Sequence, residues 1–211
     1  TEDFGAAAGA TRSIAVGDLN ADGWPDVVVG KKDAQDAVHF RSDDPEKLFE
    51  TPLGASISPT SSLVLGDLDG DGDLDVVRGL YGDISQHQLN DGTGIFDAGA
   101  AIDDVINNTT SLALGDLDGD GDLDIISASH DDDTIAWYEN DGAANPTFTA
   151  ADIATNADGA QAIDVADIDG DGDLDIVSAS AGDDKIALYE NNGAANPTFT
   201  TVVISTDADG A

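Results

Sequence analysis

One aspartate-rich phrase recurs four times along the chain, and this repetition constrains the fold more than any other feature. The phrase reads GDLNADGWPDVVV from Gly17, GDLDGDGDLDVVR from Gly66, GDLDGDGDLDIIS from Gly115 and ADIDGDGDLDIVS from Ala166. The first aspartates of successive phrases are separated by 49, 49 and 51 residues. The repeat unit therefore has about 50 residues, a period typical of solenoids and propellers.

Each unit contains four short runs with the composition of β-strands. In the third unit these runs are SLALG, DIISAS, TIAWYEN and TFTAADI, and the aspartate-rich loop separates the first from the second. β-branched and aromatic residues dominate the runs, while Gly, Asn, Asp and Pro punctuate them. No helical periodicity persists long enough to compete. The sequence predicts an all-β fold of four tandem propeller blades, each made of four antiparallel strands.

The spacing of the phrases divides the chain into five segments. A remnant of a preceding strand covers 1–11, and blades 1 to 3 cover 12–60, 61–109 and 110–158. Blade 4, with the lead-in to a further repeat, covers 159–211. Because both ends resemble parts of adjoining units, we expect a segment of a longer array rather than a closed ring of four blades.

The four loops carry acidic side chains at alternating positions, which is the pattern of a calcium site. Calcium prefers six to eight oxygen ligands, and a glycine at position 6 allows the chain to turn around the ion. Side chains at positions 1, 3, 5 and 9, with the main-chain carbonyl of position 7, are the predicted ligands. They are Asp18, Asn20, Asp22, Trp24 and Asp26; Asp67, Asp69, Asp71, Asp73 and Asp75; Asp116, Asp118, Asp120, Asp122 and Asp124; and Asp167, Asp169, Asp171, Asp173 and Asp175. We expect about four Ca²⁺ ions, one in each repeat.

The first loop departs from the others at two of these positions. Asn20 offers a neutral oxygen at position 3, and Trp24 replaces aspartate at position 7. Trp24 is compatible with a ligand role if only its carbonyl is used. Because calcium affinity depends on ligand charge and site rigidity, the first site should be the weakest.

Two other structures contain loops that resemble these. An EF-hand needs a glutamate at position 12 and flanking helices, but position 12 is Val29, Arg78, Ser127 or Ser178, and the flanks look like strands. The second alternative is a set of solvated acidic turns, since Asp-Gly is common in hairpins. Four loops with one ligand pattern favour calcium over simple turns.

The charge and composition exclude several functions. The net charge is −37, so phosphate-rich partners such as nucleic acid are not expected, and the absence of cysteine excludes disulfide or thiol chemistry. The three histidines (His39, His87 and His130) occupy non-equivalent places in their units, and with the lysines they are expected at the surface. No catalytic residue is therefore predicted. Trp137, Tyr138 and Tyr189 are expected to pack in the core or between blades.

The repeated pattern G-D-L-D-G-D-G-D-L-D resembles the FG-GAP and VCBS repeats, which occur in integrin α-chain propellers and in many secreted bacterial proteins. The resemblance implies a calcium loop between the first and second strands of each blade, in propellers that usually have about seven blades. It implies a secreted or cell-surface structural or adhesion module. Expected partners are calcium, other copies or neighbouring repeats, and glycans or a surface protein, with neither nucleic acid nor membrane insertion. The alternatives are a lectin-like propeller and the propeller of a polysaccharide-degrading enzyme.

Overall fold

The computed structural model describes residues 9–42, 48–54 and 57–209, which form sixteen β-strands and no helix. The strands are β1 (Thr11–Gly17), β2 (Asp26–Lys31), β3 (Ala37–Arg41), β4 (Leu48–Pro52), β5 (Thr60–Gly66), β6 (Asp75–Leu80), β7 (Gln86–Gln88), β8 (Ala100–Ala101), β9 (Thr109–Gly115), β10 (Asp124–Ser129), β11 (Thr134–Asn140), β12 (Phe148–Ala154), β13 (Ala160–Ala166), β14 (Asp175–Ser180), β15 (Lys185–Asn191) and β16 (Phe199–Ser205). Without a helix, these residues contain no helical segment that could cross a membrane.

The strands form four sheets of four antiparallel strands, and neighbours in sequence are neighbours in each sheet. The all-β prediction is therefore confirmed. In blade 3, β10 and β11 coincide with the predicted runs DIISAS and TIAWYEN. Of the predicted strand remnant at 1–11, residues 1–8 lie outside the described part of the chain, and Thr11 already belongs to β1. Of the predicted lead-in at the other end, residues 210–211 also lie outside it.

The first strand of every blade faces a common axis. The inner strands β1, β5, β9 and β13 contact one another in that order. Residues of all four strands, including Val16, Leu65, Leu114 and Val165, line one cavity of about 410 Å³. The blades therefore curve around a shared axis, and each blade packs face to face with the next. No strand pairing within the described residues links the sheet of blade 4 to the sheet of blade 1.

The hydrophobic core lies between blades rather than inside one. Leu63 of blade 2 packs in one cluster with Leu19 and Val28 of blade 1. Leu112 of blade 3 packs with blade 2 in the same way, and Ile163 of blade 4 packs with blade 3. Because a single four-stranded sheet has two faces to cover, the neighbouring blade is part of its folding unit.

Three features recur at each of these three blade-to-blade joints. A serine hydroxyl on the inner strand of one blade accepts a hydrogen bond from the inner strand of the next. A glycine at the end of that inner strand packs against a leucine side chain of the following blade. An asparagine amide at the end of the third strand, or two residues beyond it in blade 2, donates back to the loop of the preceding blade. The serine bonds are Leu63 N to Ser13 Oγ (3.0 Å), Leu112 N to Ser62 Oγ (3.1 Å) and Ile163 N to Ser111 Oγ (3.3 Å).

The predicted core role of the aromatic residues is confirmed, because Trp137, Tyr138 and Tyr189 are all buried. The surface prediction for the basic residues is wrong at three positions, since His39, His87 and Lys31 are buried as well. These three lie on the second or third strand of a blade, where the fourth strand and the adjoining blade cover side chains regardless of their polarity. The prediction for Lys47 falls outside the described residues.

Candidate metal centres

The aspartate-rich loops connect the first and second strands of all four blades. In blade 3, Asp116 at position 1 organises the turn, because its Oδ1 accepts hydrogen bonds from the main-chain N–H groups of Gly119 (2.7 Å) and Asp120 (3.1 Å). Its Oδ2 accepts from the N–H of Gly121 at 3.0 Å. Gly119 and Gly121 adopt φ of +77° and +101°, which a side chain would strain. The glycines therefore allow the chain to fold back around the first carboxylate.

In three of the loops, carboxylates lie close enough together to hold a metal ion. Each has a set of three aspartates whose nearest carboxylate oxygens all lie within 4.8 Å of one another. The sets are Asp67, Asp69 and Asp71; Asp116, Asp118 and Asp124; and Asp167, Asp169 and Asp175. Positions 1 and 3 belong to every set, and position 5 or position 9 supplies the third carboxylate.

The aspartate at position 7 points out of the loop. A Cβ atom placed on Gly142 would lie only 2.1 Å from Asp122 Oδ2, so this carboxylate lies against the turn between the third and fourth strands. The equivalent pairs are Asp73 with Gly92 and Asp173 with Gly193. The side chains of position 7 are absent from the three carboxylate sets. This arrangement is compatible with the prediction that position 7 offers only its carbonyl.

The aspartate at position 9 fastens the loop to the third strand of its own blade. Asp124 is buried, and its two oxygens accept hydrogen bonds from the main-chain N–H groups of Leu117 (3.0 Å) and Asn140 (2.9 Å). Burial raises the pKa of Asp124 to about 6, and burial raises the pKa of Asp75, its counterpart in blade 2, to the same value. The neighbouring loop carboxylates add to the pKa rise at both residues. A bound cation would offset the cost of holding these charges together.

The first loop forms the same turn with different residues at several positions. Asp18 Oδ2 accepts from Gly23 N–H at 2.8 Å, and Asn20 Oδ1 accepts from Asp22 N–H at 3.1 Å. Trp24 at position 7 does not enter the loop, because its ring lies under the guanidinium of Arg41, 4.5 Å from ring centre to Cζ. Ala21 has a φ of +54° where the other loops have glycine.

Ala21 is a third departure of the first loop that the sequence analysis missed. The signal was available, since Gly70, Gly119 and Gly170 occupy position 4 of the other loops. Sequence reasoning also missed the asparagine that ends the third strand. Its amide donates to a position-2 carbonyl of the preceding blade at 2.8 Å in each joint: Asn90 to Leu19, Asn140 to Leu68 and Asn191 to Leu117.

A second feature of interest lies at the start of the inner strands, at the mouth of the axis. A cavity of about 390 Å³ is lined by Arg12, Tyr81, His130 and Gln161, together with two hydroxyl residues. Tyr81 is 43% exposed, so its ring is accessible. His130 Nδ1 lies 2.8 Å from Asp131 Oδ1, which holds the imidazole in place. The sequence analysis did not bring these residues together because they come from four different blades.

The family comparison agrees with the loops and strands. The family model of the FG-GAP-like repeat matches residues 18–78 and 116–178, which span more than half of the chain. The chain belongs to the FG-GAP-like repeat family. The two matched regions contain all four aspartate loops, the whole of β2 and β10, and the first four residues of β6 and β14. The resemblance inferred from the motif is therefore confirmed. No curated protein matches the sequence.

Two solved structures share the fold of this FG-GAP-like chain. The crystal structure of BBS1N in complex with ARL6DN, soaked with lead, aligns with a TM-score of 0.66 and 12% identity over 98% of this chain. The crystal structure of the V. cholerae biofilm matrix protein Bap1 aligns with a TM-score of 0.53 and 17% identity over 90% of this chain. The chain spans 60% of the first protein and 28% of the second. At these identities the likeness establishes the fold alone.

Proposed function

We propose that this chain is an extracellular structural or adhesion module in which each of the four aspartate loops binds a calcium ion that stiffens its blade. The observation that carries the proposal is the convergence of three carboxylates within 4.8 Å in three separate loops. These oxygens, with the carbonyl of position 7, form the oxygen-rich set that calcium prefers. Membership in the FG-GAP-like repeat family and the shared fold with a biofilm matrix protein support an extracellular module rather than an enzyme.

The hydrogen bonds between the loops and the third strands explain why an ion in a loop would stabilise the whole blade. The position-9 aspartate joins the loop to the third strand, and the asparagine joins that strand to the neighbouring loop. An ion that binds only the folded loop shifts the folding equilibrium by mass action. At ten times the dissociation constant, each site adds about 1.4 kcal/mol to the free energy of unfolding. Dissociation constants of roughly 0.1–1 mM, typical of extracellular modules, would keep the sites filled outside cells.

The decisive experiment measures calcium stoichiometry by calorimetry, and melting temperature with calcium and with chelator. We expect about four ions per chain and a large fall of the melting temperature in chelator. Asp118→Asn should remove or weaken one site, because Asp118 belongs to the carboxylate set of blade 3. Asp207→Asn, at an exposed residue outside the loops, is the matched control and should leave the stoichiometry unchanged. An identical melting curve in calcium and in chelator would refute the proposal.

The cavity at the mouth of the axis favours a second function, carbohydrate binding. Its volume of about 390 Å³ suits a sugar unit, and it combines an accessible aromatic ring with arginine and glutamine donors. A glycan array probed in calcium would identify the ligand, and Tyr81→Ala should abolish any signal. The same cavity is where an enzyme of the polysaccharide-degrading kind would place its histidine and tyrosine. Chain cleavage of a bound glycan that is lost in His130→Ala would favour that alternative over a lectin.

A further inference from the structure

The turn between the third and fourth strands of blade 4 contains Asn192-Gly193, the only Asn-Gly pair in the sequence. Blades 2 and 3 have Asp91-Gly92 and Asp141-Gly142 at the equivalent place. Asparagine is a chemically labile residue, and it is most labile before glycine, where no side chain shields the next main-chain nitrogen. Two of the other blades therefore already carry the residue that loss of this amide would produce.

The turn is accessible to water, and its accessibility does not depend on the end of the chain. Asn192 and Gly193 are both exposed. Asp141 and Gly142 are exposed as well, although blade 4 packs against blade 3. A further blade packed in the same way against blade 4 would therefore leave the Asn-Gly pair open to solvent.

We propose that Asn192 is a site of spontaneous deamidation, at which the chain converts an asparagine into the aspartate found in blades 2 and 3. The main-chain nitrogen of Gly193 attacks Cγ of Asn192, the bond from Cγ to Nδ2 breaks, and ammonia leaves with the proton of the Gly193 N–H. Water then opens the imide ring, so that its hydroxyl group adds to Cγ and its other proton returns to the Gly193 nitrogen. The net reaction is hydrolysis of an amide, with no oxidation or reduction, and it does not need calcium.

The turn itself requires the glycine that makes the asparagine labile. Gly193 has a φ of +62°, and a Cβ atom on it would collide with Asp173 Oδ2. Its N–H, whose nitrogen is the nucleophile of the reaction, donates to Asn191 Oδ1 at 3.2 Å, the long end of the range for such bonds. The fold therefore keeps an unhindered and weakly bonded main-chain nitrogen next to Asn192.

The side chain of Asn192 is held by fewer hydrogen bonds than its counterpart in blade 3. Asp141 Oδ1 accepts from two main-chain N–H groups at 3.2 and 3.0 Å, and its Oδ2 accepts from the Thr147 hydroxyl at 2.7 Å. Asn192 Oδ1 keeps the two main-chain bonds, at 3.3 and 3.0 Å. The third bond is lost because the amide nitrogen of Asn192 cannot accept from the Thr198 hydroxyl. The asparagine turn should therefore open more readily, which the attack requires.

Other asparagines of the chain lack the unhindered nitrogen. Asn145 and Asn196 precede proline, whose nitrogen has no hydrogen to give up. Asn156 is exposed, as Asn192 is, but it is followed by Ala157, whose Cβ hinders the attack. Asn156 is therefore an internal control for the reaction within the same chain.

The product fits the turn better than the asparagine does. A carboxylate at position 192 supplies the second acceptor oxygen for the Thr198 hydroxyl, as Asp141 does for Thr147. The Thr147 hydroxyl, with the main-chain N–H groups of the turn, lowers the pKa of Asp141, so this turn favours a charged carboxylate. Hydrogen bonds to a carboxylate are stronger than those to a neutral amide. We therefore expect deamidation to yield normal aspartate and to stabilise blade 4.

Peptide mapping by mass spectrometry tests the site on the whole folded chain, incubated with calcium in heavy-oxygen water at mildly alkaline pH. We expect the peptide that contains Asn192 to exchange its amide for an acid and to gain one heavy oxygen atom. This change should be at least about tenfold faster than at Asn156, where a side chain raises the barrier. Asn192→Gln, whose longer side chain would have to close a larger ring, should stay unmodified over the same time.

Melting temperatures, measured in salt that screens the net charge, test whether the product stabilises the turn. Asn192→Asp should melt at a higher temperature than the unmodified chain. Asn196→Asp adds the same charge to an exposed residue of the same turn and should produce no such rise.

Each contrary result overturns a stated part of the proposal. A chain that keeps the amide of Asn192, or that loses it no faster than that of Asn156, refutes the site. A product that is mainly isoaspartate, in which the main chain runs through Cγ, contradicts the expected selection of normal aspartate. An Asn192→Asp variant that melts no higher than the unmodified chain contradicts the stabilisation. None of these results bears on the calcium proposal, because Asn192 lies outside the three carboxylate sets.

Discussion

Replacing Asn140 with alanine tests whether the third-strand asparagine holds neighbouring blades together. Its buried amide nitrogen donates to Leu68 O of blade 2 at 2.8 Å and to Leu123 O of blade 3 at 3.0 Å. Its Oδ1 accepts from Gly142 N–H at 3.1 Å. Each hydrogen bond contributes a net of about 1 kcal/mol, and carbonyls left buried without a donor add to the loss. Asn140→Ala should therefore lower the free energy of unfolding by about 2–4 kcal/mol.

Urea unfolding in saturating calcium, followed by the fluorescence of Trp137 on the same strand, measures this loss. Asn140→Asp keeps the acceptor, removes both donors and brings a carboxylate against two carbonyls, so its loss should be at least as large. Asn156→Ala, at an exposed asparagine, is the matched control and should change the free energy by less than about 0.5 kcal/mol. A loss of less than about 0.5 kcal/mol in Asn140→Ala would refute the reasoning, since the two hydrogen bonds from its amide to Leu68 and Leu123 would then contribute nothing net.

Three further predictions follow from the loops and from a buried ion pair between Asp36 of blade 1 and Arg78 of blade 2. Ala21→Gly removes the strain of a φ of +54° and should raise the melting temperature in calcium and the affinity of the first site. The pKa values of Asp75 and Asp124, raised to about 6, mean that protons compete with calcium, so titrations should show affinity falling as pH drops through 6. In chelator the pH dependence of the free energy of unfolding is opposite. The folded state binds the protons of Asp75 and Asp124 more tightly than the unfolded state does. Their protonation therefore stabilises the fold at pH 4, and this contribution is lost as pH rises through 6. Asp36→Ala leaves the buried Arg78, 2.8 Å away, without its carboxylate and should lower the free energy of unfolding, measured in urea, by about 3–5 kcal/mol. The double variant Asp36→Ala with Arg78→Ala should recover part of this loss.

The fold could be predicted from the sequence because two periods coincide in it. Alternating apolar residues mark each strand, and the 49- and 51-residue spacing of the aspartates marks each blade. The candidate site could be predicted as well, since acidic side chains at alternating positions and a glycine at the sharp turn are typical of calcium loops. The prediction of the ligand positions therefore needed only the spacing of the residues and no knowledge of the packing.

Packing between blades could not be predicted in the same way. Ser62 and Asn140 look like ordinary strand-end residues until the next blade is placed against them, and their partners lie about 50 and 72 positions away in the sequence. Lys31 and His87 were expected at the surface because their charge and polarity suggested it. Burial at these positions is decided by the strand and blade that cover them, a tertiary effect that a single repeat does not encode.

The main-chain hydrogen bonds of the residue at position 2 connect neighbouring loops. The N–H of Leu68 is bonded to Asp75 of its own loop, and its carbonyl accepts the amide of Asn140 from the next blade. Asn140 N–H is in turn bonded to Asp124, a member of the next carboxylate set. A shift of the Leu68 main chain is thus transmitted to the adjacent carboxylate set through three hydrogen bonds. Filling of the sites should be cooperative between neighbours, with a calcium isotherm steeper than four independent sites would give.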